Sequence, residues 1–137
     1  MIVGTDIDGV LCRNLNTPID NFFGRLFGSF YYQTYHKICH CKLHNAYFDY
    51  VITARPEEDR KLTESWLKRN GIKYKELIIV NTHNIQEAAV LKAKWVKKLK
   101  IEVFYEDSKP IIDQIENTTY CKCFDFLDLN NKHWIDL

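Results

Sequence analysis

Apolar and polar positions follow two periods along the chain. Short apolar runs recur at Ile2–Ile7, Tyr47–Thr53, Leu77–Val80 and Ile101–Tyr105, and a weaker run spans Tyr120–Phe126. Runs of this kind, rich in aromatic and β-branched residues, suit strands of a parallel sheet covered on both faces. Helical patterns separate them. Pro56 suits the first turn of a helix, and Glu57, Glu58 and Asp59 favour its positive end. Leu62, Trp66 and Leu67 then form an apolar stripe, Lys68 and Arg69 fill the last turn, and Gly71 supplies the stop. The spacing predicts further helices over about Glu87–Lys100 and Ser108–Glu116, with Ile111, Ile112 and Ile115 facing inward. Strands alternating with helices predict an α/β, three-layer Rossmann-like fold with a central parallel sheet of about five strands and right-handed crossovers.

One stretch breaks the rhythm. Residues 14–46 are too many for a simple crossover and carry Phe22, Phe23, Phe27, Phe30, Tyr31, Tyr32 and Tyr35. They predict a small cap-like insert after the first strand, holding one or two helices and forming a wall beside that strand's end. Helical spacing puts Phe23, Phe27 and Tyr31 on one buried stripe, with Arg25 in water on the other side. No internal repeat or low-complexity linker is present, so residues 1–137 read as one domain.

Composition narrows the class. A chain of 137 residues buries roughly 68% of its unfolded surface on folding, enough for a core. Hydrophobic residues at 46% and charged residues at 27% exclude disordered and fibrous classes. With 19 basic and 18 acidic residues the formal charge is +1, which gives no general attraction to polyanions. No apolar run reaches membrane-spanning length. Met1–Asp6 has no basic segment ahead of its apolar residues, so the expectation is a cytoplasmic protein whose five cysteines are reduced thiols.

The chemistry-bearing residues lie at strand ends. Asp6 and Asp8 close the first strand two residues apart, so extended backbone would point both the same way, and Gly9 permits a turn after them. Thr53 ends the second strand and Glu106-Asp107 the fourth. In a parallel sheet these ends share one edge, where open α/β sheets bind ligands. Singly, each motif has a bland explanation as a turn or helix cap. Together they bring up to four carboxylates to one crevice, a conflict that a divalent cation relieves. All-oxygen ligation suits Mg²⁺ better than zinc. Such a cation attracts phosphate, and a lysine is then wanted to share the charge. Lys92 shares a helix face with Trp95, Val96 and Leu99, whereas Lys94 lies about 200° away on the wheel. Lys92 is therefore the candidate and Lys94 the fallback.

Asp6-Ile7-Asp8-Gly9-Val10-Leu11 resembles the first signature of the haloacid dehalogenase superfamily, in the form used by its Asp-x-Asp phosphatase branch. Val51-Ile52-Thr53-Ala54-Arg55-Pro56 resembles the second signature and Phe104-Tyr105-Glu106-Asp107-Ser108 the fourth. The likeness covers about residues 2–126. The second signature and Thr63-Glu64-Ser65-Trp66-Leu67 look most like nucleotidase-type members. The resemblance implies a central first strand and a phosphomonoester hydrolase working through an aspartyl-phosphate. It implies Asp6 as nucleophile and Asp8 as general acid and base. Mg²⁺ would be held by Asp6, the Asp8 carbonyl and Asp107, with Glu106 near or bonded through water. Thr53 would bind the transferred phosphoryl group. Thr53, Ala54, Arg55 and Lys92 are the candidate substrate contacts, and Arg55 has two readings: an anion of the substrate, or a structural pair with Glu57 or Glu58.

Weaker signals remain. His36, Cys39, His40, Cys41 and His44 have zinc-ligand types, yet Cys-x-Cys is tighter than the usual ligand gap and no second cysteine pair follows at finger spacing. Core cysteines and surface histidines are the alternative, and Cys121 with Cys123 reads as small core residues of the fifth strand. The lysines of Lys92–Lys100 otherwise read as a solvated face. The expected substrate is a nucleotide-like or other small phosphorylated metabolite. The alternatives are nucleic-acid ends and a non-catalytic metal-binding module on the same fold. A small cap also leaves room for a second copy of the chain to close the site.

Overall fold

The computed structural model describes residues 1–12, 25–26 and 41–124. Five parallel strands form one sheet: β1 (Val3–Thr5), β2 (Tyr47–Thr53), β3 (Lys73–Ile79), β4 (Val103–Tyr105) and β5 (Lys122–Phe124). Their order is β3-β2-β1-β4-β5, so the first strand is central. Gly4 and Thr5 pair with Tyr50 and Val51 on one side and with Phe104 and Tyr105 on the other. A single 3₁₀ turn (Glu57–Asp59) leads into α1 (Arg60–Arg69), followed by α2 (Ile85–Lys98) and α3 (Lys109–Thr118).

Successive strand residues feed opposite faces, as the pleat requires. Val51, Leu77 and Tyr105 pack with Trp66 and Leu67 of α1 and with Ile7, Val10 and Leu11. Ile52, Ile78 and Phe104 pack with Ala88, Ala89, Ala93 and Val96 of α2 and Ile111 and Ile115 of α3. This is the three-layer α/β arrangement that the alternation predicts. Among the described residues no helix is long and apolar enough to cross a membrane.

Several boundaries differ from expectation for identifiable reasons. β3 starts at Lys73, four residues before its apolar run, because this edge strand pairs on one side only and its charged half needs no covering layer. α2 starts at Ile85 because the Asn84 side chain caps it, accepting the Glu87 N–H at 2.9 Å. α1 stops as expected: Gly71 takes φ +70°, and a side chain there would collide with Asn45. Cys12, Cys41, Cys121 and Cys123 are free thiols. Cys41 is buried, and its thiol meets the Leu43 carbonyl at 3.1 Å. Arg25 is exposed. Residues 14–24 and 27–40 of the predicted insert, with its aromatic stripe, His36, Cys39 and His40, lie outside the described residues.

Candidate active site at the carboxyl edge of the sheet

The chain runs outward from β1 through β2 to β3, then returns across the sheet to β4 and β5. The loops after β1 and β4 therefore diverge and leave a crevice at the carboxyl edge. β1 ends at Thr5, and the Asp6 N–H continues the ladder to the Tyr105 carbonyl at 3.0 Å. Beyond Asp6 the strand gives way to a tight loop. The Ile7 carbonyl accepts N–H groups from Val10, Leu11 and Cys12, and Gly9 adopts φ +87°. A side chain at Gly9 would collide with the Asp107 carboxylate, so only glycine lets this loop close over β4.

Asp6, Glu106 and Asp107 each offer an oxygen, all within 4.8 Å of one another. Lys92 reaches this group from α2, with its Nζ 3.2 Å from Asp6 and 2.9 Å from Glu106. Its side chain is 1% exposed, whereas Lys94 is exposed. Glu106 is committed on both oxygens: one accepts Lys92, the other the N–H groups of Asp107 and Ser108 at 3.1 and 3.3 Å. Asp6 accepts the Ile7 N–H at 2.7 Å.

The electrostatics follow from this crowding. Burial and the Glu106 charge push the Asp6 carboxyl well above its ordinary range, and Lys92 only partly opposes them. Burial also raises Glu106 against the pull of Lys92, and burial with the Asp6 charge raises Asp107. Burial disfavours the Lys92 ammonium, but Asp6 and Glu106 outweigh it and hold its pKa above the ordinary lysine value. Two of the three clustered carboxylates, Asp6 and Glu106, contact the one ammonium, and with all three ionised the two negative charges left over match one divalent cation. The donor set is all oxygen, which suits Mg²⁺.

Asp8 departs from its expected orientation. Because the backbone leaves the extended conformation after Asp6, the two aspartates take different partners. The Asp8 carboxylate faces Arg55, accepting Nε at 2.9 Å and Nη2 at 2.8 Å, and also meets the Cys12 thiol at 3.4 Å. The pairing of Arg55 with Glu57 or Glu58 is therefore corrected: Glu57 pairs with Arg60 at 2.6 Å, and Arg55 turns inward. Thr53 is buried at the end of β2, its hydroxyl accepting the Arg55 N–H at 3.2 Å, and Ala54 is half-buried beside it.

The structure adds residues that sequence reasoning passed over. Thr63 Oγ1 accepts Arg55 Nη1 at 3.2 Å, and the Trp66 ring lies 5.9 Å from the guanidinium carbon. In the sequence Trp66 belongs to the apolar stripe and Thr63 opens the nucleotidase-like segment, and their i, i+3 spacing is a signal for a shared partner. Lys42 donates its backbone N–H to the Leu11 carbonyl at 2.7 Å. Burial lowers its pKa, opposed by the charges of Cys12 and Asp107. Nothing local in the sequence marks it.

No protein-family model matches the chain, and no curated protein does. The fold resembles a chain in a solved structure of the Pnkp1/Rnl/Hen1 RNA repair complex, with a TM-score of 0.56 and 15% sequence identity. The match covers 90% of this chain and 41% of that one, so the present chain spans well under half of its structural relative.

Proposed function

We propose that the protein is a Mg²⁺-dependent phosphomonoester hydrolase of the haloacid dehalogenase type, with Asp6 as nucleophile. The observation that carries this reading is the grouping of Asp6, Glu106 and Asp107 at the carboxyl ends of β1 and β4, with the Lys92 ammonium paired to Asp6 and Glu106. Asp6 and Asp107 would hold the cation together with the Asp8 carbonyl, while Glu106, already bonded to Lys92, orients that lysine. The cation supplies charge neutralisation for a phosphate dianion brought against carboxylates.

The chain's own residues carry the reaction. An Asp6 oxygen attacks phosphorus and the ester oxygen departs, taking a proton from Asp8. Lys92 and the Thr53 hydroxyl stabilise the transferring phosphoryl oxygens. Asp8, now ionised, takes a proton from the water that attacks the aspartyl-phosphate, releasing inorganic phosphate and regenerating Asp6. A nucleotide-like or other small phosphate ester is the first substrate class. The likeness to a chain of an RNA repair complex favours a second, nucleic-acid ends. Hydrolysis of p-nitrophenyl phosphate, nucleoside monophosphates and 3′- or 5′-phosphorylated oligonucleotides, with Mg²⁺ and with chelator, tests the reading. Mg²⁺-dependent phosphate release is expected. Equal release in excess chelator, or none from any substrate, would refute it.

A further inference from the structure

Arg55 is a buried charge that the reaction above leaves without a task. Its guanidinium is 1% exposed and meets Asp8 through two N–H groups, the forked geometry that fixes a carboxylate in one plane. The third side, Nη1, donates to Thr63 Oγ1, and the Trp66 ring stands 5.9 Å from its carbon. Thr63 and Trp66 lie three residues apart on α1, so one helix face sets the position of the guanidinium. The Cys12 thiol lies 3.4 Å from Asp8 Oδ1 and 3.9 Å from Arg55 Nη2. Asp8 keeps 22% side-chain exposure, whereas Arg55 is buried. To reach a substrate, Arg55 would have to give up these buried bonds.

We infer that Arg55 is a positioning residue, anchored by Thr63 and Trp66 of α1, that holds the Asp8 carboxylate in the orientation from which it exchanges protons with the leaving group and with water. This rests on the phosphohydrolase reading. It differs from a substrate-anion role for Arg55 in one measurable way: a positioning residue acts only through Asp8.

The test is a kinetic double-mutant cycle between Arg55→Gln and Asp8→Asn, measured on an aryl and an alkyl phosphate. Arg55→Gln is expected to lower kcat about 10²-fold on the alkyl ester, whose leaving group needs the proton. The loss should be smaller on the nitrophenyl ester, with KM changed by less than about threefold. In the Asp8→Asn background the same substitution should cost nothing further. Arg55→Lys, which keeps the charge but loses the fork, should fall between. A raised KM with kcat preserved, or losses that simply add in the double variant, would overturn the inference. Should Arg55→Gln not fold, Thr63→Val serves instead: a smaller kcat loss confined to the Asp8 background is expected, and an unchanged kcat refutes it. Asp6→Asn keeps the two failures apart. If it is inactive while the cycle shows no coupling, only the Arg55 role falls; if it stays active, the hydrolase reading and this inference fall together.

Discussion

The two edges of the sheet treat their carboxylates in opposite ways. At the amino edge, Asp49 accepts the Val3 N–H at 2.8 Å and Glu102 accepts the Ile2 N–H at 2.8 Å, each tying the start of β1 to a neighbour. Asp49 also has the Tyr47 hydroxyl at 3.2 Å and Lys75 at 3.5 Å. Burial opposes its charge, yet these donors outweigh it and keep the carboxyl below its usual range. At the carboxyl edge, Asp6, Glu106 and Asp107 face one another around Lys92, and all three sit above it. The first arrangement is balanced by donors within the chain, and the second leaves its carboxylates crowded, which is where the proposed cation would sit. Selection for stability alone would remove such a conflict, which is the argument for the proposed site at this edge.

The comparison can be broken most sharply at Asp6. Asp6→Asn is expected to reduce phosphate release to background while the melting temperature holds or rises, since one crowded charge is gone. Rates within a few-fold of wild type would remove Asp6 from the chemistry. Asp8→Asn should cost about 10²–10⁴ in kcat, most with poor leaving groups.

Next in size is the metal. Mg²⁺ at a hundred times its dissociation constant should stabilise the chain by about 2.7 kcal/mol, read as a rise in melting temperature. Asp107→Ala should abolish that rise, whereas substitution of Asp49 should leave it. A Mg²⁺ effect that survives Asp107→Ala would place the ion elsewhere.

The two edges should also answer pH with opposite signs. Asp6, Glu106 and Asp107 have raised folded pKa values, so the folded chain binds more protons than the unfolded one. Without metal, stability is expected to fall as pH rises from about 4 through those raised values, and saturating Mg²⁺ should flatten the fall. Asp49 has a lowered value, so its contribution is present above about pH 4 and lost as pH drops through its folded pKa. Denaturation at stepped pH, with and without Mg²⁺, resolves both limbs. The smallest effect is Asp49→Ala itself: about 1–3 kcal/mol of stability for the Val3 N–H left without its acceptor, with kcat unchanged.

Much of this architecture is legible in the sequence because local periodicity reports burial. The run Tyr47–Thr53 is β2 to the residue, and helical spacing alone puts Lys92 rather than Lys94 on the inward face. The Gly71 stop and the carboxylates at strand ends are equally local. Periodicity fails where no apolar face exists. Hence the charged start of β3 carries no periodic signal, and Asn84 rather than any hydrophobic residue sets the start of α2. The partners of the buried charges lie further out of reach. Arg55 has Glu57 and Glu58 close by in the chain, yet pairs with Asp8, 47 residues away. Glu106 serves Lys92 from another element, and Lys92 spans from α2 to the end of β1. Residue type and spacing determine which groups arrive at the crevice. Which charge meets which depends on where the backbone stops being extended after Asp6 and on how α1 packs, and those are settled only by the tertiary structure.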